Sequence, residues 1–384
     1  MNPKNNVYTR ALAAGILIAL AYAVVTALLL SGVFAGKTTF FKGDDITIQS
    51  YAWLTKVFAA AREGKFALWS FGTMSGVSFI GELQTAPLYP LALLWAFVVT
   101  PGDAYGLDLF IALHFYLGAL GMHALGRTFG LSHLAAAVGA IVFSFGGTIA
   151  LRAFGQPNIH AGLVYMPFVM LAAVRATRQL GLALAAWSAV GGVALAMTFL
   201  AGHAYGTVHA LMAAAIAAAM VAWAGKLPFR QAAIRLALVF SILGAVALLV
   251  SAPQIVATGE YLAQAYKWYG PSYTSSPHIV PYSQYAQEGL SFADLATIFT
   301  GEASQVDFVT LFVTWTAVFA IVVGVLLAVA QRRRSLPLEI GAVIAAVGLV
   351  IALSAPYRLG EALYHVPLLN IVRTPARAQL IDTT

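Results

Sequence analysis

The chain has 384 residues, of which 61% are hydrophobic and 9% charged, and its formal net charge is +7. A soluble globular domain carries about 25% charged residues, so this composition excludes that class and indicates a polytopic membrane protein. The positive charges are scattered over short loops, which argues against nucleic-acid binding, and the absence of cysteine excludes disulfides and cysteine nucleophiles.

Nine apolar segments approach the roughly 20 residues that a helix needs to cross the bilayer core. They are residues 11–34, 106–127, 132–151, 159–174, 181–201, 204–224, 232–252, 307–330 and 337–354. The first segment is longer than the roughly 7 to 15 residues of a signal-peptide core, so we expect an uncleaved anchor.

Basic residues fall at every second connection, which predicts that these connections are cytoplasmic. They are Lys4, Arg10, Arg127, Arg175, Arg178, Lys226, Arg230, Arg235, Arg332, Arg333 and Arg334. Residues 86–100 would break this alternation if they crossed, and this short segment is interrupted by Pro87 and Pro90. We therefore expect an interfacial or re-entrant helix there, nine true crossings, a cytoplasmic N-terminus and an external segment at 355–384.

The same topology places all but one of the 14 acidic residues, Glu339, at or near the external face. The others are Asp44, Asp45, Glu63, Glu82, Asp103, Asp108, Glu260, Glu288, Asp294, Glu302, Asp307, Glu361 and Asp382. Acidic residues hardly influence orientation, so their sorting is independent of the argument from basic residues. We therefore expect any catalytic chemistry to take place at the external face of the membrane.

The first external loop, residues 35–105, is far longer than a connector needs to be. An apolar stripe at helical spacing, Ile46, Leu54, Val57, Phe58 and Ala61, predicts an amphipathic helix on the membrane surface that ends at Gly64.

Two adjacent carboxylates, Asp44 and Asp45, precede this predicted helix. Asp45 alone could be a helix cap. Asp44 would then remain as a carboxylate placed to take a proton from a hydroxyl acceptor.

A second external loop, residues 253–306, combines aromatic with polar side chains, which suits the apolar faces and hydroxyl rim of a sugar. The aromatics are Tyr261, Tyr266, Trp268, Tyr269, Tyr273, Tyr282 and Tyr285, and the polar side chains are Glu260, Lys267, His278, Gln284, Glu288, Asp294 and Glu302. The alternative is the aromatic belt that forms where helices meet lipid head groups.

Shorter external turns carry Gln156, Asn158, His160 and His203. A lone histidine at a helix end is more often structural than catalytic. Three further histidines lie within predicted spans, where polar side chains face the bundle interior: His114, His123 and His209. No metal-binding or phosphate-cradling motif is present, so no cofactor is indicated, although assistance by a divalent cation stays open.

Near the end of the chain, Arg373 and Arg377 lie four residues apart on the predicted external side, separated by Pro375. Planar, permanently charged guanidinium groups suit the phosphate of a lipid carrier. The alternative is that these arginines snorkel to the interface.

Five passages together resemble the YfhO-type bacterial membrane proteins, within the GT-C class of glycosyltransferases that use polyprenyl-phosphate sugars. They are FKGDDITIQSY, GKFALWSFGTMSGVSFIGELQTAPLYPLALL, LHFYLGALGMHALGRTFGLSHLAAAVGAIVFSFGG, NIHAGLVYMPFVMLA and PLLNIVRTPARAQL. The matches cover most of the first 175 residues and the last 20. Members of the family are usually much longer, so we expect this chain to be a fragment or to lack a C-terminal half.

The resemblance implies one all-α, GT-C-like transmembrane domain with juxtamembrane helices in the first external loop. It implies Asp44 or Asp45 as general base and Glu82 or Glu302 in a second acidic role. The donor would be a polyprenyl-phosphate-linked sugar used on the outer face of a bacterial cell membrane.

The leading hypothesis is inverting transfer of that sugar to an envelope glycan, lipid or protein. Lys267, Arg373 or Arg377 would stabilise the departing phosphate, and Tyr269, His160 and His203 are further candidates for substrate contact. The alternatives are a membrane transporter, in which ionisable residues are expected deep within helices, and a non-catalytic subunit of an envelope assembly complex.

Overall fold

The structure is a computed structural model, and it describes residues 3–41, 46–73, 75–265, 282–287, 290–292, 335–355 and 357–366. Within these ranges the chain is mostly helical, with a single two-stranded antiparallel sheet. The early elements are α1 Pro3–Leu29, α2 Ser31–Phe34, a π-helical turn Ile46–Ser50, α3 Tyr51–Arg62, β1 Trp69–Ser70, β2 Val77–Ser78, a 3₁₀ turn Leu83–Thr85 and α4 Pro90–Trp95. The later helices are α5 Ala104–Thr128, α6 His133–Phe145, α7 Gly147–Gly155, α8 Pro157–Leu163, α9 Met166–Thr177, α10 Gly181–Leu200, α11 Ala204–Ala224, α12 Phe229–Gln264, α13 Tyr282–Gln287, α14 Leu336–Ser354 and α15 Arg358–Tyr364.

Eight helical segments of the described chain are long and apolar enough to cross a membrane. They are Leu12–Leu29, Ala104–Thr128, His133–Gly155, Pro157–Thr177, Gly181–Leu200, Ala204–Ala224, Phe229–Gln264 and Leu336–Ser354. They match eight of the nine predicted spans, and the ninth, residues 307–330, lies outside the described residues. The protein is therefore an all-α polytopic integral membrane protein.

Two spans that were predicted as continuous helices are each built from two helices. The first breaks at Gly146, whose backbone is extended with ψ 152°, between α6 and α7. The second breaks between α8 and α9, where Pro167 lies in the first turn of α9 and has no N–H to continue the ladder of α8. Glycine and proline at these points explain both interruptions.

Helix α12 is longer than the sequence predicts. It continues through Pro253 to Gln264, so the first part of the predicted second external loop is helical. Its 36 residues correspond to about 54 Å, beyond the roughly 30 Å of a bilayer core. The C-terminal part of α12 packs on the predicted first external loop, where Gln254 binds Ile80 and Tyr261 lies against Gly81.

Small residues bring the central helices close together, as is common in membrane proteins. A Cβ added at Gly162 would lie 2.9 Å from the carbonyl oxygen of Thr198, and one added at Gly192 would lie 2.6 Å from that of Leu243. These glycines fix the contacts of α8 with α10 and of α10 with α12.

One end of the bundle, which we call the basic end, carries arginines that bind the C-termini of neighbouring helices. Arg178 Nη1 donates to the Thr128 carbonyl oxygen at 2.7 Å, and Arg235 Nη1 donates to that of Thr177 at 3.2 Å. Cations near a helix C-terminus stabilise its dipole.

The opposite end, which we call the loop end, is covered by the described part of residues 35–105, the predicted first external loop. Helix α3 has the predicted apolar stripe, but the stripe packs against the protein's own core. Val57 and Phe58 are fully buried, and the rings of Phe58 and Phe110 of α5 pack edge to face with their centres 5.8 Å apart. The apolar side of α3 is therefore covered by other parts of the protein, and little of it is left to contact the membrane surface as the sequence predicted.

Residues 86–100 contain only the six-residue helix α4, which is too short to cross a bilayer. The segment nevertheless packs among the spans. Tyr89 reaches His114 near the middle of α5, and Trp95 Nε1 donates to the Gly106 carbonyl oxygen at 2.9 Å. The interfacial or re-entrant placement of this segment stays a prediction.

Candidate functional site

The predicted first external loop is held against the loop end by hydrogen bonds and close contacts with several helices. Gln254 of α12 donates from Nε2 to the Ile80 carbonyl oxygen at 2.7 Å. Gly202, whose φ is +108°, lies against the backbone of this loop: a Cβ added at Gly202 would be 3.1 Å from the carbonyl oxygen of Gln84. The loop is thus a cap on the bundle, built from residues far apart in sequence.

A buried carboxylate fixes the start of this cap. Asp108, in the first turns of α5, is 3% exposed and accepts hydrogen bonds from Phe40 N at 2.9 Å and Thr39 Oγ1 at 3.1 Å. A carboxylate that accepts two such bonds holds the backbone more firmly than a neutral group does. The sequence identified Asp108 only as one of many external acids.

The chain on both sides of the predicted catalytic pair is anchored in one cluster. Phe40 and Ile46 are fully buried with Ile111, Phe115 and Ala153. Asp44 and Asp45 themselves lie outside the described residues. So do five other predicted site residues: Lys267, Tyr269, Glu302, Arg373 and Arg377.

A buried guanidinium lies beside this cluster. Arg152 of α7 is 6% exposed, and its Nη1 donates to Gln156 Oε1 at 2.9 Å. The next residue, Ala153, belongs to the same cluster as Phe40, and the rings of Phe154 and Phe40 are 4.9 Å apart. Arg152 was not predicted as a site residue, because basic residues were interpreted mainly as markers of cytoplasmic loops.

Glu82 has a structural task in the described chain. Its Oε1 accepts a hydrogen bond from Gln84 N at 3.2 Å and caps the 3₁₀ turn at Leu83–Thr85. Its second acidic role stays a prediction.

His160 was predicted in an external turn, but the structure places it inside α8 with no exposed surface. Its Nδ1 donates to the Ile149 carbonyl oxygen at 3.2 Å, and its ring lies 4.3 Å from that of Phe115. This arrangement gives His160 no open surface at which a sugar could bind.

His203 is half-buried and caps α11. Its Nδ1 accepts a hydrogen bond from Tyr205 N at 3.2 Å, and the two rings lie 4.3 Å apart. It remains partly open at the loop end, where a substrate contact was predicted.

A buried chain of hydrogen bonds links the cap to two spans. His114 Nδ1 donates to the Phe110 carbonyl oxygen at 2.7 Å, so Nε2 of the neutral ring is the acceptor. Tyr89 donates its hydroxyl proton to this Nε2 at 2.8 Å and accepts one from the Tyr165 hydroxyl at 2.8 Å. The expectation that His114 faces the bundle interior is confirmed, since it is 1% exposed.

Helix α13, in the predicted second external loop, contributes two residues to a small tyrosine cluster. Tyr285 is 1% exposed and packs with Tyr282, Tyr364 and Ala355. Burial, and then the neighbouring Tyr282, raise the pKa of Tyr285 to about 12, so its phenol is neutral. Tyr285 is therefore a packing residue and does not offer an open face to a sugar.

An apolar groove of about 270 Å³ lies between α1, α4 and α5. Ala23, Thr26, Trp95 and Leu113 are among the residues that line it, and Thr26 is 3% exposed. The groove is large enough for part of a hydrocarbon chain and too apolar for a sugar.

Comparison with known protein families, curated proteins and solved structures finds no match to this chain. Among the described residues, no three histidine or acidic side chains are grouped so that they could hold a metal ion. The part that a divalent cation could play stays a prediction.

Proposed function

We propose that the protein is a membrane glycosyltransferase of the GT-C class, which transfers a sugar from a polyprenyl phosphate to a hydroxyl group of an extracytoplasmic envelope acceptor. One observation carries the proposal: the anchored flanks of the Asp44–Asp45 pair, Phe40 and Ile46, lie beside the helix that carries the buried guanidinium of Arg152. The reaction needs a base and an anion-binding group at the same depth.

In this proposal Asp44 or Asp45 takes the proton of the acceptor hydroxyl. The acceptor oxygen then attacks the anomeric carbon from the face opposite the phosphate, so the configuration inverts. The bond between the anomeric carbon and the phosphate oxygen breaks, and the polyprenyl phosphate leaves with the electron pair. The protonated aspartate later releases its proton to water.

Arg152 is proposed to stabilise the charge that develops on the departing phosphate. Guanidinium groups bind phosphate oxygens through parallel N–H donors, and burial strengthens such a contact. Arg373, Arg377 and Lys267 remain predicted contributors from outside the described residues.

The groove between α1 and α5 suits the lipid part of the donor. It starts beside Phe34, just before the cap, and is lined mostly by apolar side chains from α1, α2, α4 and α5. A lipid that entered there would bring its phosphate to the loop end.

The test is a transfer assay with purified protein in liposomes and radiolabelled polyprenyl-phosphate sugars. The double variant D44N/D45N is expected to lose transfer at unchanged expression and insertion. Glu63→Gln is the matched control, because Glu63 is exposed and pairs only with exposed Lys65 among the described residues. Full transfer by the double variant would remove both aspartates from the mechanism.

A transporter is the second candidate, and the buried histidines favour it. His114 and His160 lie within helices at 1% and 0% exposure, with ring centres 6.3 Å apart. Deeply placed ionisable side chains often mark a substrate or proton pathway. Solute uptake by proteoliposomes that His114→Ala abolishes, without sugar transfer, would favour this function.

A further inference from the structure

A groove of about 430 Å³ runs between α10 and α12 at the basic end, away from the proposed site. Its walls include Leu184 and Ala185 from α10 and Ile234, Leu238 and Ile242 from α12, with Arg235 among them. Most of the groove wall is apolar, and Arg235 is the charged residue among those that line it.

Arg235 is half-buried, and the described residues use only a small part of its hydrogen-bonding capacity. A guanidinium has five N–H donors, and the described residues accept one hydrogen bond from it, at the Thr177 carbonyl oxygen, 3.2 Å from Nη1. Within the described ranges no carboxylate pairs with it, and the ion pair that those ranges contain, Lys65–Glu63, belongs to the first loop. Arg235 thus lacks a described counter-ion.

Its surroundings are also positive. Arg175 and Arg178 lie at the C-terminus of α9, next to the carbonyl group that Arg235 binds. The first turn of α10, which forms the other side of the groove, contains no acidic residue. Glu339, in the first turn of α14, is exposed and lies on another helix. The described surroundings of the groove therefore carry net positive charge.

The distance between the Arg235 guanidinium and the apolar walls of the groove suits a molecule with a charged head and an apolar tail. Ile242 lies seven residues after Arg235 on α12, which is about 10 Å along the helix axis. Ile234 and Leu238 are each about half exposed, at 51% and 50%. An anionic head group at Arg235 would allow an acyl chain to cover these side chains.

We propose that this groove is a binding site for an anionic phospholipid, whose phosphate contacts Arg235 and whose acyl chain lies between Leu184 and Leu238. Basic pockets between membrane helices on the side that carries positive loops bind anionic lipid head groups for the same reasons. A zwitterionic lipid gains less from the positive surroundings. The site is independent of the proposed sugar transfer.

The test measures lipid retained by the purified full chain, by native mass spectrometry, with phosphatidylglycerol and phosphatidylcholine of identical acyl chains. We expect about tenfold preference for phosphatidylglycerol, and about tenfold lower retention in Arg235→Gln. Arg230→Gln is the charge-matched control: Arg230 is exposed, lies on the same helix and does not line the groove. It is expected to retain the lipid within about twofold of wild type.

A second variant separates binding from folding, because Arg235 also binds the end of α9. Ala185→Phe fills the groove without a change of charge, and Ala183→Phe adds the same ring at an exposed position of α10 outside the groove. We expect Ala185→Phe to lose phosphatidylglycerol and Ala183→Phe to retain it.

Three results would overturn the proposal. They are equal retention of the two lipids by the wild type, unchanged retention in both Arg235→Gln and Ala185→Phe, and displacement of the lipid by millimolar inorganic phosphate. The last would assign the arginine to a soluble anion.

Discussion

Tyr89 and His114 are joined by a 2.8 Å hydrogen bond, although Tyr89 belongs to the first loop and His114 lies near the middle of α5. Both side chains are buried, and the bond continues to Tyr165. The cap is therefore tied into the interior of the bundle and does not merely rest on its end.

Replacing Tyr89 by phenylalanine is expected to destabilise the protein by about 1–3 kcal/mol, because Nε2 of buried His114 and the hydroxyl of half-buried Tyr165 would each lose a partner. Thermal unfolding in detergent measures the change. Tyr105→Phe is the control, since its hydroxyl donates to Phe34 O at 3.0 Å in an exposed position. Equal effects of the two variants would contradict the buried-network account.

Replacing Asp108 by alanine is expected to release the start of the cap, because Phe40 N would lose its acceptor in a buried cluster, at a cost of about 2 kcal/mol. Hydrogen exchange at the Phe40 amide measures this release. Asp103→Ala is the control: Asp103 caps α5 through Tyr105 N and makes no described contact with Phe40. Unchanged protection of Phe40 in Asp108→Ala would show that Asp108 does not anchor the cap.

Arg152→Gln is expected to lower sugar transfer by about 100-fold, since loss of one preorganised donor to a developing anion has effects of that size. Arg152→Lys keeps the charge but loses the planar donor set, so an intermediate rate is expected. Size-exclusion chromatography checks that both variants stay folded. Transfer at the wild-type rate in folded Arg152→Gln would exclude a role in catalysis.

Ala23→Phe is expected to raise the KM for the lipid-linked donor by about tenfold, with a small effect on kcat, because the ring occupies the groove between α1 and α5. Ala21→Phe adds the same ring to an exposed part of α1 that does not line the groove. If both variants behave alike, the groove does not hold the donor.

The sequence located the described spans because about 20 consecutive apolar residues leave few other structures open. The interruptions within two spans were not predicted, because Gly146 and Pro167 each lie in a continuous apolar run. The extension of α12 through Pro253 was missed because proline ordinarily argues for a helix end.

Which residues come together at the site is decided by contacts between segments that are far apart in the sequence. Asp108 and Phe40 are 68 residues apart, and Gln254 and Ile80 are 174 apart, so no local pattern relates them. His160 was misplaced because a proline-containing turn precedes it, and the burial of its helix comes from packing alone. The sequence pointed to acidic and histidine side chains, but it gave neither Arg152 nor the pairing of these residues.

The most direct measurement of the central claim follows the labelled sugar itself. Purified protein in liposomes would be supplied with radiolabelled polyprenyl-phosphate sugars and an envelope acceptor fraction. The account predicts that label moves to the acceptor while polyprenyl phosphate is released in equal amount, and that D44N/D45N abolishes both. Release of neither product from any lipid-linked sugar by folded wild-type protein would contradict the account.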